Sequence, residues 1–170
     1  MKTHCNRLLL ALALAGTAGI AHGAQADIKV WADVDTTLAL LKADGSPLPD
    51  VVELVHRPGQ GLARWSEQVR IFSNDISKDV EVRLTDNVLL RPVVAAAGAV
   101  DVPLTVRLNG RALTPAAQDF AAGDLFNGAL PGASIAMPLA VEQTILAPIQ
   151  AAGLYEGMVS VVVAQKAGNP

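Results

Sequence analysis

Val102-Pro103-Leu104-Thr105-Val106-Arg107-Leu108-Asn109-Gly110 is the stretch from which the fold can be read. Val102, Leu104, Val106 and Leu108 fall on one face of an extended chain, and Pro103, Thr105 and Arg107 on the other. That spacing predicts a strand with one face on a core and one toward water. Asn109-Gly110 follows at once. It is the best two-residue hairpin turn in the chain, because both central positions of such a turn require positive φ.

The same period of two recurs on either side. Upstream, Val80, Val82 and Leu84 alternate with Glu81 and Arg83, and Ile28, Val30, Ala32 and Val34 alternate with Lys29, Trp31, Asp33 and Asp35. Downstream, Ile135, Met137, Leu139 and Val141 form one set and Val159, Val161 and Val163 the last. Turn signals separate the runs: Asp44-Gly45-Ser46-Pro47, Arg57-Pro58-Gly59-Gln60-Gly61 after a strand at about 51–56, Asn74-Asp75, and Asp86-Asn87. Pro115 to Ala122 reads as one or two helical turns, with Thr114 as N-cap and Pro115 at the first position. Several short strands with regular turns predict an antiparallel β-sandwich. No internal repeat, low-complexity tail or linker divides the chain after its first segment.

That first segment reads as an address. Lys2 and Arg7 precede an apolar run from Leu8 to Ile20, and small residues follow through Ala26. This is the build of a secretory signal peptide, and the run is too short to span a bilayer. Cleavage fits after Gly23, with Ala21 at −3, or after Ala26, with Ala24 at −3. Removing 1–23 leaves 147 of the 170 residues and changes the net charge from −3 to −5, since Lys2 and Arg7 leave with no acid. Cys5, the one cysteine, leaves too, so the mature chain is expected to have no disulfide although it enters an oxidising compartment.

Composition excludes several classes. With 51% hydrophobic residues the chain has ample material for a core, so it is not a wholly disordered chain. Its negative charge, with no compensating basic run, argues against a nucleic-acid partner. His56 is the one histidine outside 1–23, too few for a histidine-dependent nucleophile or a zinc site, and it reads as a surface or strand-end residue. Asp33 and Asp35 are two apart on one outward face, the pattern of solvated carboxylates rather than of a pair across a cleft. Gly59-Gln60-Gly61 is not followed by the helix and Lys-Ser/Thr pair of a phosphate loop. Trp31 and Trp65 read as packing or edge residues. No catalytic residue, cofactor or metal is therefore expected.

An alternating strand over 26–34, directly after a signal peptide, can pair within its own domain or reach another molecule, and the pattern alone leaves both open. At this point the chain resembles a family: the major subunits of class 5 (alpha-type, colonization-factor) fimbriae, assembled by the alternate chaperone pathway of Gram-negative bacteria. The matching stretches are Ile28–Asp35, Leu40–Pro49 (LLKADGSPLP), Ser73–Asp75, Val80–Leu84, Val102–Val106 with Asn109-Gly110, and Gly153–Val161 (GLYEGMVSV). They occur in family order over essentially the whole chain after residue 23.

The resemblance implies an all-β, immunoglobulin-like sandwich lacking one strand, completed by a donor strand from a neighbouring subunit. It implies a division into signal peptide 1–23, donor strand 24–36 and incomplete pilin domain 37–170. Ile28, Val30, Ala32 and Val34 are then the inward donor positions. Cleavage between Gly23 and Ala24 is preferred because subunits of the family begin there. The implied partners are identical subunits in a linear polymer, a periplasmic chaperone, an outer-membrane usher, a subunit that carries the tip adhesin, and a host-surface receptor. The implied route is export to the periplasm and then the cell-surface fimbrium. The family usually has proline after the Asp that ends the donor strand. Here Asp35 is followed by Thr36, so no proline hinge is carried over.

The expected function is that of a structural major pilin rather than an enzyme. The alternative is a receptor- or glycan-binding adhesin subunit. Tip adhesins carry an added receptor-binding domain, for which 147 residues leave no room, and the pathway's chaperones are larger two-domain proteins.

Overall fold

The computed structural model describes residues 38–94, 96–128 and 130–166. The signal segment, its cleavage point and the strand at 26–34 lie outside them. In chain order the elements are β1 (Ala39–Lys42), β2 (His56–Arg57), β3 (Gly61–Leu62), β4 (Trp65–Phe72), β5 (Val80–Leu84), β6 (Leu89–Pro92), β7 (Val102–Leu108), β8 (Arg111–Ala112), β9 (Gln118–Phe120), α1 (Ala122–Leu125), β10 (Met137–Gln143), β11 (Tyr155–Glu156) and β12 (Val161–Gln165).

One sheet runs β1-β4-β10-β7-β6-β11, with β8 also on β7; a second runs β12-β5-β9; β2 and β3 form a small hairpin. Every pairing between these strands is antiparallel. The inward residues of the two larger sheets meet in one core. Val69, Ile71, Val106, Leu108 and Met137 come from the first sheet, and Val80, Val82 and Phe120 from the second. Burying each such apolar side chain stabilises the fold by about 1.5–3 kcal/mol.

The alternation over 80–84 and 102–108 gives strands with alternately buried faces, as read from the sequence. Asn109 and Gly110 both have positive φ, 50° and 79°, and turn β7 into β8. His56 is exposed at the start of β2, and Trp65 is half-buried against the core at the start of β4.

Four expectations are corrected. Residues 51–55 form no strand, and only His56 of that segment pairs; the main-chain bond made by the rest is Ala63 N to Val55 O. The expected helix over Pro115–Ala122 does not form: residues 115–121 are not helical, and Ala122 instead opens α1. Gln118–Phe120 instead pair with β5 and bury Phe120, and Thr114 Oγ1 donates to Ala116 O. Cross-strand pairing and burial override the local helix signal there. Among the described residues the one helical turn comes later, at α1. Ile135 lies before β10, because its N–H donates to Leu125 O at 2.7 Å rather than to a ladder. Val159 is exposed and precedes β12, which begins at Val161.

β4 does not stand out in the sequence. Its alternation is real, with Val69 and Ile71 inward, but Glu67 sits in phase with them and blurs it.

Candidate functional site

The two sheets are joined at one end by 73–79, which carry the chain from β4 to β5. Asn109-Gly110 and the 121–136 connection lie at the same end, here the upper end. The connections 43–64, 85–88, 93–101, 144–154 and 157–160 lie at the lower end.

Register places β1 and β12 on one flank. Ala39 pairs with Phe72 and Lys42 with Val69, so β1 descends from the upper end beside β4. Val161 pairs with Leu84 and Gln165 with Val80, so β12 rises to the upper end beside β5. There the Gln165 amide donates to Ser73 Oγ at 3.1 Å and to Asp75 O at 3.2 Å, just past β4. The other flank holds β9, α1 and the start of β10. Ala122 N donates to Asp79 Oδ1, Ile135 N to Leu125 O, and Ile71 N to Ser134 Oγ.

β1 and β12 are therefore outermost strands on the same flank, one in each sheet, running in opposite directions. Among the described residues neither has a strand on its outer edge. An unpaired edge presents free N–H and C=O groups to whatever can pair with them. Leu38 and Leu40 beside β4, and Val161 and Val163 beside β5, pack against the core yet stay half-exposed. Val69, Ile71, Val80 and Val82, one strand further in, are fully buried. Each edge therefore offers main-chain hydrogen-bonding groups beside partly buried apolar side chains, Leu38 and Leu40 at one and Val161 and Val163 at the other.

Local turns hold these edges in place. Asp44 Oδ1 accepts from Ser46 N and Ser46 Oγ at the foot of β1. Asp75 Oδ1 likewise accepts from Ser77 N and Oγ above β4. In each case the serine hydrogen bonds lower the carboxyl pKa below its ordinary value. The Lys166 ammonium, one residue past β12, pairs with Asp119 of β9, and that hydrogen bond raises the lysine pKa. The stretch 153–157 has a packing reason as well. Tyr155 donates to Ala151 O at 3.1 Å, and a Cβ at Gly157 would stand 2.3 Å from Leu89 O, so only glycine fits.

The donor residues expected from the sequence, Ile28, Val30, Ala32 and Val34, lie outside the described residues. The half-exposed edge residues Leu38, Leu40, Val161 and Val163 were not expected as a group. The signal available in the sequence was the last alternating set, but period two alone does not tell an edge from a central strand. Among the described residues no cluster of three or more His, Cys, Asp or Glu could hold a metal ion.

The profile of the CS1 type fimbrial major subunits matches residues 24–164. The chain is 31% identical over 150 residues to the CFA/I fimbrial B subunit of Escherichia coli O78:H11, covering 84% of this chain and 86% of that protein. It is 29% identical over 150 residues to the CS1 fimbrial A subunit of Escherichia coli, with the same shares covered. Among solved structures it is similar to the CooA pilin subunit from enterotoxigenic Escherichia coli. The TM-score is 0.66 at 24% identity, over 79% of this chain and 90% of that one. The likeness is one of fold: a nearly all-β, immunoglobulin-like sandwich missing a strand.

Proposed function

Because the chain belongs to the CS1 type fimbrial major subunits, we propose that it builds a fimbrial shaft by donor-strand exchange, the segment 24–36 of one copy filling the cleft between β1 and β12 of the next. The observation that carries this reading is the pair of free edges on one flank, with Leu38, Leu40, Val161 and Val163 half-exposed between them. Ile28, Val30, Ala32 and Val34 present apolar side chains at the period such a cleft accepts. Lys29, Trp31, Asp33 and Asp35 then face outward.

The energetics suit a polymer bond. Three large apolar donors at about 1.5–3 kcal/mol each, plus ladder hydrogen bonds, approach the whole net stability of a small domain, about 5–15 kcal/mol. Main-chain pairing gives affinity and the alternate side chains give register, as in other β-strand additions. An unfilled cleft exposes core and two sheet edges and favours aggregation. A periplasmic chaperone therefore fills it first, an outer-membrane usher exchanges chaperone for the next copy, and a tip adhesin ends the fibre. The 1–23 segment directs export and is removed so that Ala24 becomes the first residue; the family match starting at residue 24 supports this. The role of each copy is mechanical, with no reaction to catalyse.

A relocation experiment tests the reading. Residues 24–36 are deleted and the same segment is placed after Pro170 through a short flexible linker. A tethered donor acts at millimolar-scale effective concentration. The variant should be a monodisperse monomer with a cooperative thermal melt, while the unaltered mature chain polymerises or aggregates. If the unaltered chain is itself a well-behaved monomer and relocation brings no benefit, 26–34 belongs to its own sheet and the proposal fails.

A further inference from the structure

Val161, Val163 and Gln165 hold alternate positions of β12 and share one strand face. The first two pack against the core. The third is polar, and it pairs across the ladder with Val80 of β5, which is fully buried. An amide beside a core needs partners, because a buried donor without one costs more than a bond gains. Gln165 finds them at the end of the other sheet. Its Nε2 donates to Ser73 Oγ at 3.1 Å and to Asp75 O at 3.2 Å. Gln165 and Ser73 are 92 residues apart in the chain, and Ser73, directly after β4, is buried.

The corner that receives this amide is fixed by its own bonds. Ser73 Oγ donates to Asp75 O at 2.8 Å and accepts from Asp75 N at 3.0 Å. Ser73 N donates to Gly132 O at 2.8 Å, which ties the corner to the 121–136 connection on the other flank. At the far end of the 73–79 connection, Lys166 N donates to Asp79 O at 2.8 Å. The end of β12 is thus held to that connection at two points, through the Gln165 side chain and through the main chain of Lys166.

The side-chain link matters because of where β12 stands. β5 pairs with it on one side, and among the described residues no strand pairs with it on the other. Strands with few buried contacts and exposed ladder bonds open first. Opening from Gln165 would swing the β12 edge away from the first sheet and take Val163 with it. The amide opposes that motion without using any ladder bond, so the outer edge stays in place and stays free to pair.

We infer that Gln165 is a positioning residue for strand capture: its amide holds the unpaired edge of β12 to the Ser73–Asp75 corner until a donor strand pairs with that edge. The inference rests on the donor-strand exchange proposed above. Once a donor is seated, its own ladder bonds hold β12 from the outer side, and the amide link adds little. The link acts while the edge is unfilled, so it governs the rate of assembly rather than the strength of the finished fibre.

Gln165→Met separates those two quantities. It keeps the length of the side chain and removes the donor. It orphans nothing at the corner, since Ser73 Oγ and Asp75 O still bond within the connection. The full chain carrying it is expressed with the chaperone and the usher. Surface fibre is followed in time after induction and scored per amount of chaperone-bound protein. The denaturant midpoint at which purified fibres fall to single chains is measured alongside. Assembly should slow about two- to tenfold, the worth of one hydrogen bond, while the fibre midpoint stays at the parent value. A parent rate of assembly overturns the inference. So does a midpoint that falls together with the rate, or a variant that never accumulates on the chaperone, because the link would then be a general stabiliser of the fold. Donor exchange is read separately, as a ladder of multiples of the single chain from parent fibres under mild denaturation. With that ladder present, any of the overturning results removes the role of Gln165 alone; its absence removes donor exchange and this role together.

Discussion

The two flanks of the sandwich begin from the same material and end differently. On the closed flank, β9 delivers Phe120 into the core, and α1 adds Leu125, which is 2% exposed. The Ser134 hydroxyl then accepts from Ile71 N and donates to Ile135 O, stitching the connection to the first sheet. On the open flank, β1 and β12 supply inward Leu40, Val161 and Val163, yet these remain half-exposed because no described element crosses between the sheets there. Apolar residues at the right spacing are thus insufficient for burial. A third element has to span the gap, and on the open flank that element is proposed to come from another molecule.

Breaking the open flank should have the largest effect. Val30→Asp is expected to abolish fibres while chaperone-bound protein accumulates in the periplasm, because a carboxylate at the centre of the inserted strand is buried without a partner, at a cost of several kcal/mol. Trp31→Ala, on the opposite strand face, should do much less. Electron microscopy and periplasmic fractionation read both, and normal fibres from Val30→Asp would remove the donor assignment.

The closed flank comes next. In the self-complemented variant, Leu125→Ala should lower stability by about 2–5 kcal/mol through lost transfer energy and a residual cavity. Val163→Ala on the open flank should cost about 1–2 kcal/mol with the donor in place. Without it the cost should shrink, since Val163 is then half in water. Denaturant melts with and without the donor segment give the contrast, and equal costs in the two forms would mean that β12 does not line the cleft.

A smaller loss is expected from Ser134→Ala. It strands the buried Ile71 N–H, fully inside the core, and an unsatisfied buried donor costs about 1–3 kcal/mol. Slow amide exchange at Ile71 in the parent and a lowered melting temperature in the variant are the measurements.

The mildest effect concerns the corner above the open flank. Ser77 hydrogen bonds lower the Asp75 pKa below its ordinary 3.8. The stability that this carboxylate contributes is complete above the ordinary value and is lost as pH falls through the lowered one. Asp75→Asn should therefore flatten the acid limb of a melting-temperature profile below about pH 4 and leave neutral pH nearly unchanged. An acid limb identical to the parent's would assign the loss to other carboxylates.

Much of this was legible beforehand. Val80–Leu84 and Val102–Leu108 announce themselves because period two coincides with clear flanking turns, and Asn109-Gly110 specifies its hairpin through positive φ. Residues 51–56 and 115–122 mislead because local propensity is decided elsewhere. No described strand takes up 51–55, while β5 claims 118–120 and buries Phe120. β4 hides because Glu67 interrupts an otherwise apolar face near its solvent end. The edge residues of the open flank are hidden for a different reason, since a half-exposed valine in an edge strand and a buried one in a central strand are the same letter at the same spacing.

By itself the sequence determined the class of the fold, the strands at 80–84 and 102–108, the tightest turn and the resemblance to fimbrial major subunits. These follow from local stereochemistry and from motifs contiguous in the chain. Only the tertiary structure decided which strands are outermost, that β1 and β12 share one flank in opposite directions, and that Gln165 reaches Ser73 and Asp75. Such facts depend on pairings between residues far apart in the chain, such as Leu84 with Val161, and a pattern of period two carries no record of its partner.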